Sequence, residues 1–202
     1  PWMLLAKPLI MRQRYHAAAA WMPFERANGS RQDLAFDGSV PIFANRKLVL
    51  QFLHGIVSVP THDNKLESFL WHVLSCNEMT ALLRTSTLVK LLISEPWRWL
   101  CGKASKLADW SVVRSSEVLD AVEKAFVEIA ADGSKLFDPT FDPFAPFAAS
   151  QPKFAEWRKE QAARTVKASD GTVHRLNELI LAEARTPKEA GNVQATETVI
   201  AL

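Results

Sequence analysis

Histidine and cysteine side chains are the readiest metal ligands and nucleophiles in this chain. His72 and Cys76 lie four residues apart on one face of a predicted helix, a spacing that lets both ligate zinc. No Cys-x-x-Cys pair supplies the remaining ligands, so we interpret both as packing residues. Cys101 has no histidine partner that the sequence assigns, and neither a Gly-x-Ser-x-Gly elbow nor a phosphate-binding glycine loop occurs. We therefore expect no cofactor and no metal, and predict that the protein is not an enzyme.

His62 and Asp63 form the one dipeptide with a catalytic pattern. All-helical metal-dependent phosphohydrolases combine such a pair with an upstream histidine and a downstream aspartate, positions that His54 and Asp120 could fill. The pair also follows Pro60, in a turn before a helix, where Thr, Asp and Asn cap the first backbone N–H groups. We interpret Asp63 as a capping residue and keep a helical metal-dependent hydrolase as the third hypothesis for the function.

The first 32 residues form a basic segment. Five cations against one acid give it a net charge of +4, whereas the whole chain has +2, so the remaining residues sum to −2. We predict an extended arm, whose Arg12, Arg14 and Trp21 are candidate contacts for other proteins or for nucleic acid. Its Ala- and Arg-rich, acid-poor composition is also typical of mitochondrial presequences, which favours an organellar setting such as the mitochondrial matrix.

The run Trp97-Arg98-Trp99 mixes aromatic rings with a cation, and two lysines follow shortly after it. On single-stranded nucleic acid such groups stack on bases and pair with phosphates. On a helix, however, Trp97 and Trp99 point about 200° apart. We therefore predict that one ring faces the core and the other a neighbouring helix or a partner, with Trp99 as the interaction candidate.

Residues 137–152 are rich in phenylalanine and proline. Proline at this density disfavours a regular helix and favours an extended, polyproline-like path. We predict a strap whose phenylalanines pin it to the helical body, because exposed rings on a linker would promote aggregation. Phe141 and Phe144 are its interaction candidates, and Asp142-Pro143-Phe144 also matches a tripeptide that clathrin-adaptor appendage domains bind.

Apolar residues recur at helical spacing through most of the chain, which predicts an all-α fold: an irregular bundle or stack of about five to seven helices. Five helices are expected between residues 45 and 132. Asn64 and Glu67 have the spacing of a capping box, Ser94-Glu95-Pro96 resembles a fresh helix start, and Asp132-Gly133 a stop. Ser75 with Glu78, and Ser115 or Ser116, mark two further starts, and two more helices are predicted over 153–167 and 172–185.

These patterns divide the chain into five parts. They are a basic extended arm (1–41), a helical core (42–133), the Pro/Phe-rich strap (134–152), C-terminal helices (153–186) and a flexible tail (187–202).

Composition places the chain among globular proteins. Of its 202 residues, 48% are hydrophobic and 23% charged, which argues against wholesale disorder. Cys76 and Cys101 lie in apolar helical surroundings, so we expect buried free thiols in a reducing, intracellular compartment. No apolar run approaches the roughly 20 residues of a membrane span, so no transmembrane helix is expected.

A lack of recognisable site chemistry, together with extended ends and many large aromatic residues, favours an interaction protein. We hypothesise a non-catalytic structural or scaffold subunit of a larger multi-protein assembly, with an organellar complex as the setting. The alternative is a nucleic-acid-associated or ribosome-associated protein that uses the basic segment. No small-molecule substrate is evident from the sequence.

Overall fold

A computed structural model describes residues 31–59, 64–102, 112–167 and 173–185, which form an all-α fold. Arg12, Arg14, Trp21, His62, Asp63 and the predicted tail lie outside these residues. In chain order the elements are α1 (Arg31–Val57), α2 (Lys65–Ser75), α3 (Asn77–Val89), a π-helical segment (Lys90–Ser94), α4 (Glu95–Gly102), α5 (Val112–Ala131), a 3-10 turn (Gly133–Phe137), α6 (Ala145–Ser150), α7 (Pro152–Ala163), β1 (Thr165–Lys167), β2 (Val173–Arg175) and α8 (Leu176–Arg185).

The first helix is longer than its sequence predicts. α1 begins at Arg31, so the prediction of an extended arm up to residue 41 is wrong for its last eleven residues. Pro41 lies inside the helix and cannot donate the usual hydrogen bond to the carbonyl four residues earlier. One turn later, the Asn45 side chain donates to the Pro41 carbonyl oxygen at 2.9 Å. Val40 and Phe43 are buried in the core, and this burial offsets the weak helix propensity of the segment.

One continuous helical run, Asn77 to Gly102, forms the centre of the fold. α3 packs against α1, α2 and α8, and the run passes through the π-helical segment into α4. The predicted fresh start at Ser94-Glu95-Pro96 is therefore wrong, because the Glu95 N–H bonds to the Lys90 carbonyl and the chain stays helical. Leu88 and Leu100, on either side of this segment, are fully buried.

Side-chain caps set several helix ends. Asn64 accepts hydrogen bonds from the N–H groups of Leu66 (3.1 Å) and Glu67 (3.5 Å), which confirms the predicted start of α2. α3 is capped by Cys76, whose sulfur accepts from the Met79 N–H, rather than by the predicted Ser75. α5 ends at Ala131, so the predicted stop at Asp132-Gly133 is confirmed, but it begins at Val112, before the predicted serine caps.

The Pro/Phe-rich strap is more helical than expected. It contains the 3-10 turn, α6 and the start of α7, so the predicted polyproline-like path is wrong. Pro146 and Pro152 occupy the first turns of α6 and α7, where a missing N–H costs no hydrogen bond. The predicted packing of the strap is confirmed: Phe144 and Phe147 are buried, and Phe137 and Phe141 pack partly buried against the core.

The end of the described chain differs from the predicted helix pair. α7 stops at Ala163, and the residues predicted to continue it form β1, which pairs antiparallel with β2 in a register that places Thr165 opposite Arg175. α8 then packs against α3, α7 and the 3-10 turn. Within the ranges described, no helix is long and apolar enough to cross a bilayer.

Candidate protein-interaction surfaces

The zinc-ligand candidates His72 and Cys76, which the structure describes, do not form part of a metal site. In the part of the chain that the structure describes, no three His, Cys, Asp or Glu side chains are grouped to hold a metal ion. His72 is exposed and packs edge-on against Trp71 at 4.9 Å. Cys76 is exposed as well, which corrects the expectation that it is buried, because the chain turns between α2 and α3 at this residue. Its thiol donates to the Val73 carbonyl at 3.1 Å, so it serves as a cap.

The two partners proposed for the His62-Asp63 pair lie in different surroundings. The His54 ring is 5.9 Å from that of Trp71, and its Nε2 is 3.4 Å from the Ser58 hydroxyl, near the end of α1. Asp120 lies on the exposed side of α5. Among the described residues, no potential metal-binding group contains either of them.

Two of the aromatic interaction candidates, Trp99 and Phe144, contact the interior of the fold. Trp99 is half-buried and packs against Trp157 at 5.7 Å and Phe154 at 5.4 Å, whereas Trp97 is exposed. The two tryptophans therefore face different surroundings, but the predicted assignment is reversed: Trp97, expected on the buried face, is the exposed ring, and Trp99 packs against the core. Phe144 is fully buried, so its expected role as a partner contact is wrong: its ring packs on Phe154 instead.

The half-buried Phe141 lies beside a charged anchor for the strap. Arg158 of α7 donates to Asp142 at 2.7 Å, and its guanidinium lies 5.8 Å from the centre of the Phe154 ring. Arg185 of α8 donates to the Pro139 carbonyl at 3.4 Å. Burial lowers the pKa of the Arg185 guanidinium, and the charges of the nearby Asp138 and Asp142 partly oppose that effect. These contacts hold the strap between α7 and α8.

An apolar surface, here named the α2 face, consists of Leu66, Phe69 and Leu70. The three side chains lie within about 100° of one another around the helix axis and keep 63%, 61% and 39% of their surface exposed. α2 packs beside α1 and α3, yet none of its residues is buried. Much of the apolar side of α2 is therefore exposed rather than packed against the core.

A second apolar surface, the α5 face, consists of Leu119, Phe126 and Val127, which are 54%, 46% and 61% exposed. The opposite side of α5 supplies Val118, Ala125 and Ile129 to the core. Asp120 and Glu123 are exposed beside the α5 face. Sequence periodicity detects an amphipathic helix but cannot distinguish a face covered by the chain's own core from one left exposed.

These two faces, rather than the basic segment or the strap, are the interaction candidates that the structure adds. Single exposed apolar side chains are common on folded proteins, but clusters of three large ones on one helix are not. Comparisons with protein-family models, with curated proteins and with solved structures find nothing that matches this chain.

Proposed function

We propose that this protein is a non-catalytic structural subunit of a multi-protein assembly, and that its α2 face binds an amphipathic helix of another subunit. The observation that carries the proposal is the exposure of Leu66, Phe69 and Leu70 on a helix that has no buried residue of its own. An amphipathic helix in a groove or beside another helix is a common way to cover such a stripe.

Burial of the α2 face would be energetically substantial. Full burial of a Leu or Phe side chain contributes about 1.5–3 kcal/mol, so covering the exposed parts of these three contributes roughly 2–5 kcal/mol. Replacing these exposed side chains by polar ones should therefore change the free energy of association far more than the free energy of unfolding. This difference allows the proposal to be tested separately from stability.

The α5 face supports a second contact in the same assembly, with a partner of opposite charge. α5 carries four acids and two cations, a net charge of −2. Lys124 lies 3.9 Å from Glu128, so Glu117, Asp120 and Glu123 dominate the charge near the exposed apolar residues. A partner helix with basic residues flanking its apolar stripe fits this surface, because complementary charge speeds encounter and selects the partner.

The basic segment supports the alternative function and the proposed setting. A net charge of +4 over residues 1–32 favours association with nucleic acid, as in a ribosome-associated protein. The acid-poor composition of the same segment is the support for an organellar, mitochondrial complex. Both remain proposals that rest on composition. Removal of residues 1–30 should abolish nucleic-acid binding under the alternative and leave docking at the α2 face intact under the leading proposal.

The experiment places a photo-crosslinking amino acid at position 69, in cells that express the protein naturally, and identifies the attached protein by mass spectrometry. We expect one dominant partner crosslinked through a defined helix. A matched probe at Lys159, exposed on α7, serves as the control because it is remote from either apolar face in sequence and lies on a charged helix. Crosslinking to this partner should disappear in the variant Leu66→Asp/Leu70→Asp.

The variant must remain folded for the test to count. Because both leucines are exposed, Leu66→Asp/Leu70→Asp should lower the free energy of unfolding by no more than about 1–2 kcal/mol. Equal crosslinking from positions 69 and 159, or unchanged crosslinking in the folded double variant, would refute docking at the α2 face.

A further inference from the structure

A groove lies between the central helical run and α7, and we name it the tryptophan groove. It has a volume of about 320 Å³ and is lined by Lys90, Glu95, Arg98, Trp99, Trp157 and Gln161. We propose that the tryptophan groove binds a small aromatic anion: one flat ring system that carries a carboxylate or a phosphate. This inference is independent of the proposed function.

The π-helical segment shapes one side of the groove. In a π turn the N–H of one residue bonds to the carbonyl five residues earlier, as the Glu95 N–H bonds to the Lys90 carbonyl. Lys90 and Glu95 consequently lie in successive turns on one side of the helix, and Arg98 and Trp99 follow in the next α-helical turn. The single described π segment thus brings three charged side chains and an indole to one wall. π turns of this kind occur frequently at functional sites.

Two indoles that stack on each other line the groove. Trp99 and Trp157 are 5.7 Å apart with their planes inclined by 27°, and Phe154 packs against both, 5.4 Å from Trp99 and 5.5 Å from Trp157. Phe154 is fully buried, whereas both tryptophans remain partly accessible. Indoles held by such a cluster, with part of their surface accessible, are suited to contact with a planar ring.

The charges of the groove favour an anionic ligand. Lys90 and Arg98 provide two cations against the carboxylate of Glu95, a net charge of +1. Lys90 is only 5% exposed, so its charge is poorly screened by solvent. All three charged residues also have an interaction within the protein. A guanidinium and an ammonium that line the same groove are suitable groups for a carboxylate or a phosphate.

The groove is shallow and open to solvent, with room for one ring system and a short substituent. A volume of about 320 Å³ lies at the lower end of the range for small-molecule sites. A neighbouring pocket of about 160 Å³ shares Glu95, Trp157 and Gln161 and extends to Asn177 and Leu181 of α8. The Gln161 amide, common to both, can donate to or accept from a polar group on the ring.

The experiment titrates the full chain with two aromatic anions: indole-3-acetate, which carries a carboxylate, and adenosine 5′-monophosphate, which carries a phosphate on a different ring system. Binding is measured by saturation-transfer NMR and by calorimetry, beside the neutral analogues indole-3-acetamide and adenosine. We expect at least one anion to bind, and its neutral analogue to bind at least tenfold more weakly. The difference between each anion and its neutral analogue measures the contribution of the anionic group.

Variants locate the site. Arg98→Ala should weaken binding of the preferred probe at least tenfold without lowering the melting temperature, and Arg98→Lys should restore part of it. Trp97→Ala is the matched control, because Trp97 is the exposed neighbour of Arg98 and does not line the groove. Absence of binding by either anion at millimolar concentration, equal binding of the neutral analogues, or unchanged binding in folded Arg98→Ala would overturn the proposal.

Discussion

Replacement of Phe144 by alanine tests whether the strap holds the fold together. Phe144 is fully buried, with ring centroids 6.1 Å from Phe147 and 6.5 Å from Phe154. Truncating a fully buried phenylalanine costs about 3–5 kcal/mol, since the lost transfer free energy and the cavity add together. Phe141 is half-buried, so Phe141→Ala should cost about half as much, roughly 2 kcal/mol.

The assay is urea unfolding of purified variants, followed by circular dichroism and tryptophan fluorescence. Phe126→Ala provides the matched control: the same atoms are removed from an exposed position on α5, so it should change the free energy of unfolding by no more than about 1 kcal/mol. Thr140→Ala, within the strap, removes an exposed hydroxyl that donates to Asp138 and should cost no more than about 1 kcal/mol.

A milder variant protects the test against complete unfolding. Phe144→Leu keeps most of the buried volume and should cost about 1–2 kcal/mol, between the parent and Phe144→Ala. The reasoning is refuted if Phe144→Ala is no more destabilising than Phe126→Ala. The strap would then be a tether, and binding of Asp142-Pro143-Phe144 to an adaptor-type domain should be measured directly.

Three further predictions concern caps and thiols. Asn64→Ala should destabilise the protein by about 1 kcal/mol in thermal unfolding, because it removes the acceptor that caps α2, whereas Asn64→Asp should be nearly neutral. Hydrogen bonds from Ser134 hold the pKa of Asp132 below its ordinary value of 3.8. The stabilisation that these bonds give the folded state is present above pH 3.8 and is lost as the pH falls through the lowered pKa. Asp132→Asn should remove this part of the acid dependence of unfolding. Burial raises the pKa of the half-buried Cys101 thiol, whereas Cys76 is exposed. Iodoacetamide at about pH 8 should therefore modify Cys76 first, as measured by peptide mapping. The reverse order would contradict the structure.

The start of α2 and the end of α5 were predictable from local sequence. Asn64 starts α2 because its side chain satisfies N–H groups that the first turn leaves unpaired, and this requirement is visible in a short stretch of sequence. The end of α5 at Ala131 follows from the same local chemistry at Asp132-Gly133.

The errors arose where tertiary packing outweighed local preference. Gly38 and Pro41 are typical turn residues, yet they lie inside α1 because Val40 and Phe43 of the same segment are buried in the core. In the strap, the density of proline suggested an extended path. Position within a helix matters more than density, since Pro152 occupies the one turn that tolerates proline.

The candidate surfaces depend on information that the sequence does not contain. Leu66, Phe69 and Leu70 have the same pattern as a buried stripe, and only the placement of α1 and α3 shows that they are exposed. Likewise, the direction of Trp99 depends on the π-helical segment, which no propensity predicts. A helix continued without this segment would present a different residue to α7.

The π-helical segment also determines where the central run tolerates a change in length. Each residue of an α-helix advances the direction of the side chains by 100°, so one residue added or lost within α3 or α4 would rotate every later side chain away from its neighbours. The wider turn at Lys90–Ser94 already accommodates one extra residue. Deleting a residue there would return the run to a regular α-helix, and Leu88 and Leu100 would still be directed toward the core. Natural length variation in this run should therefore concentrate at residues 90–94, and it would alter the wall of the tryptophan groove while leaving the core intact.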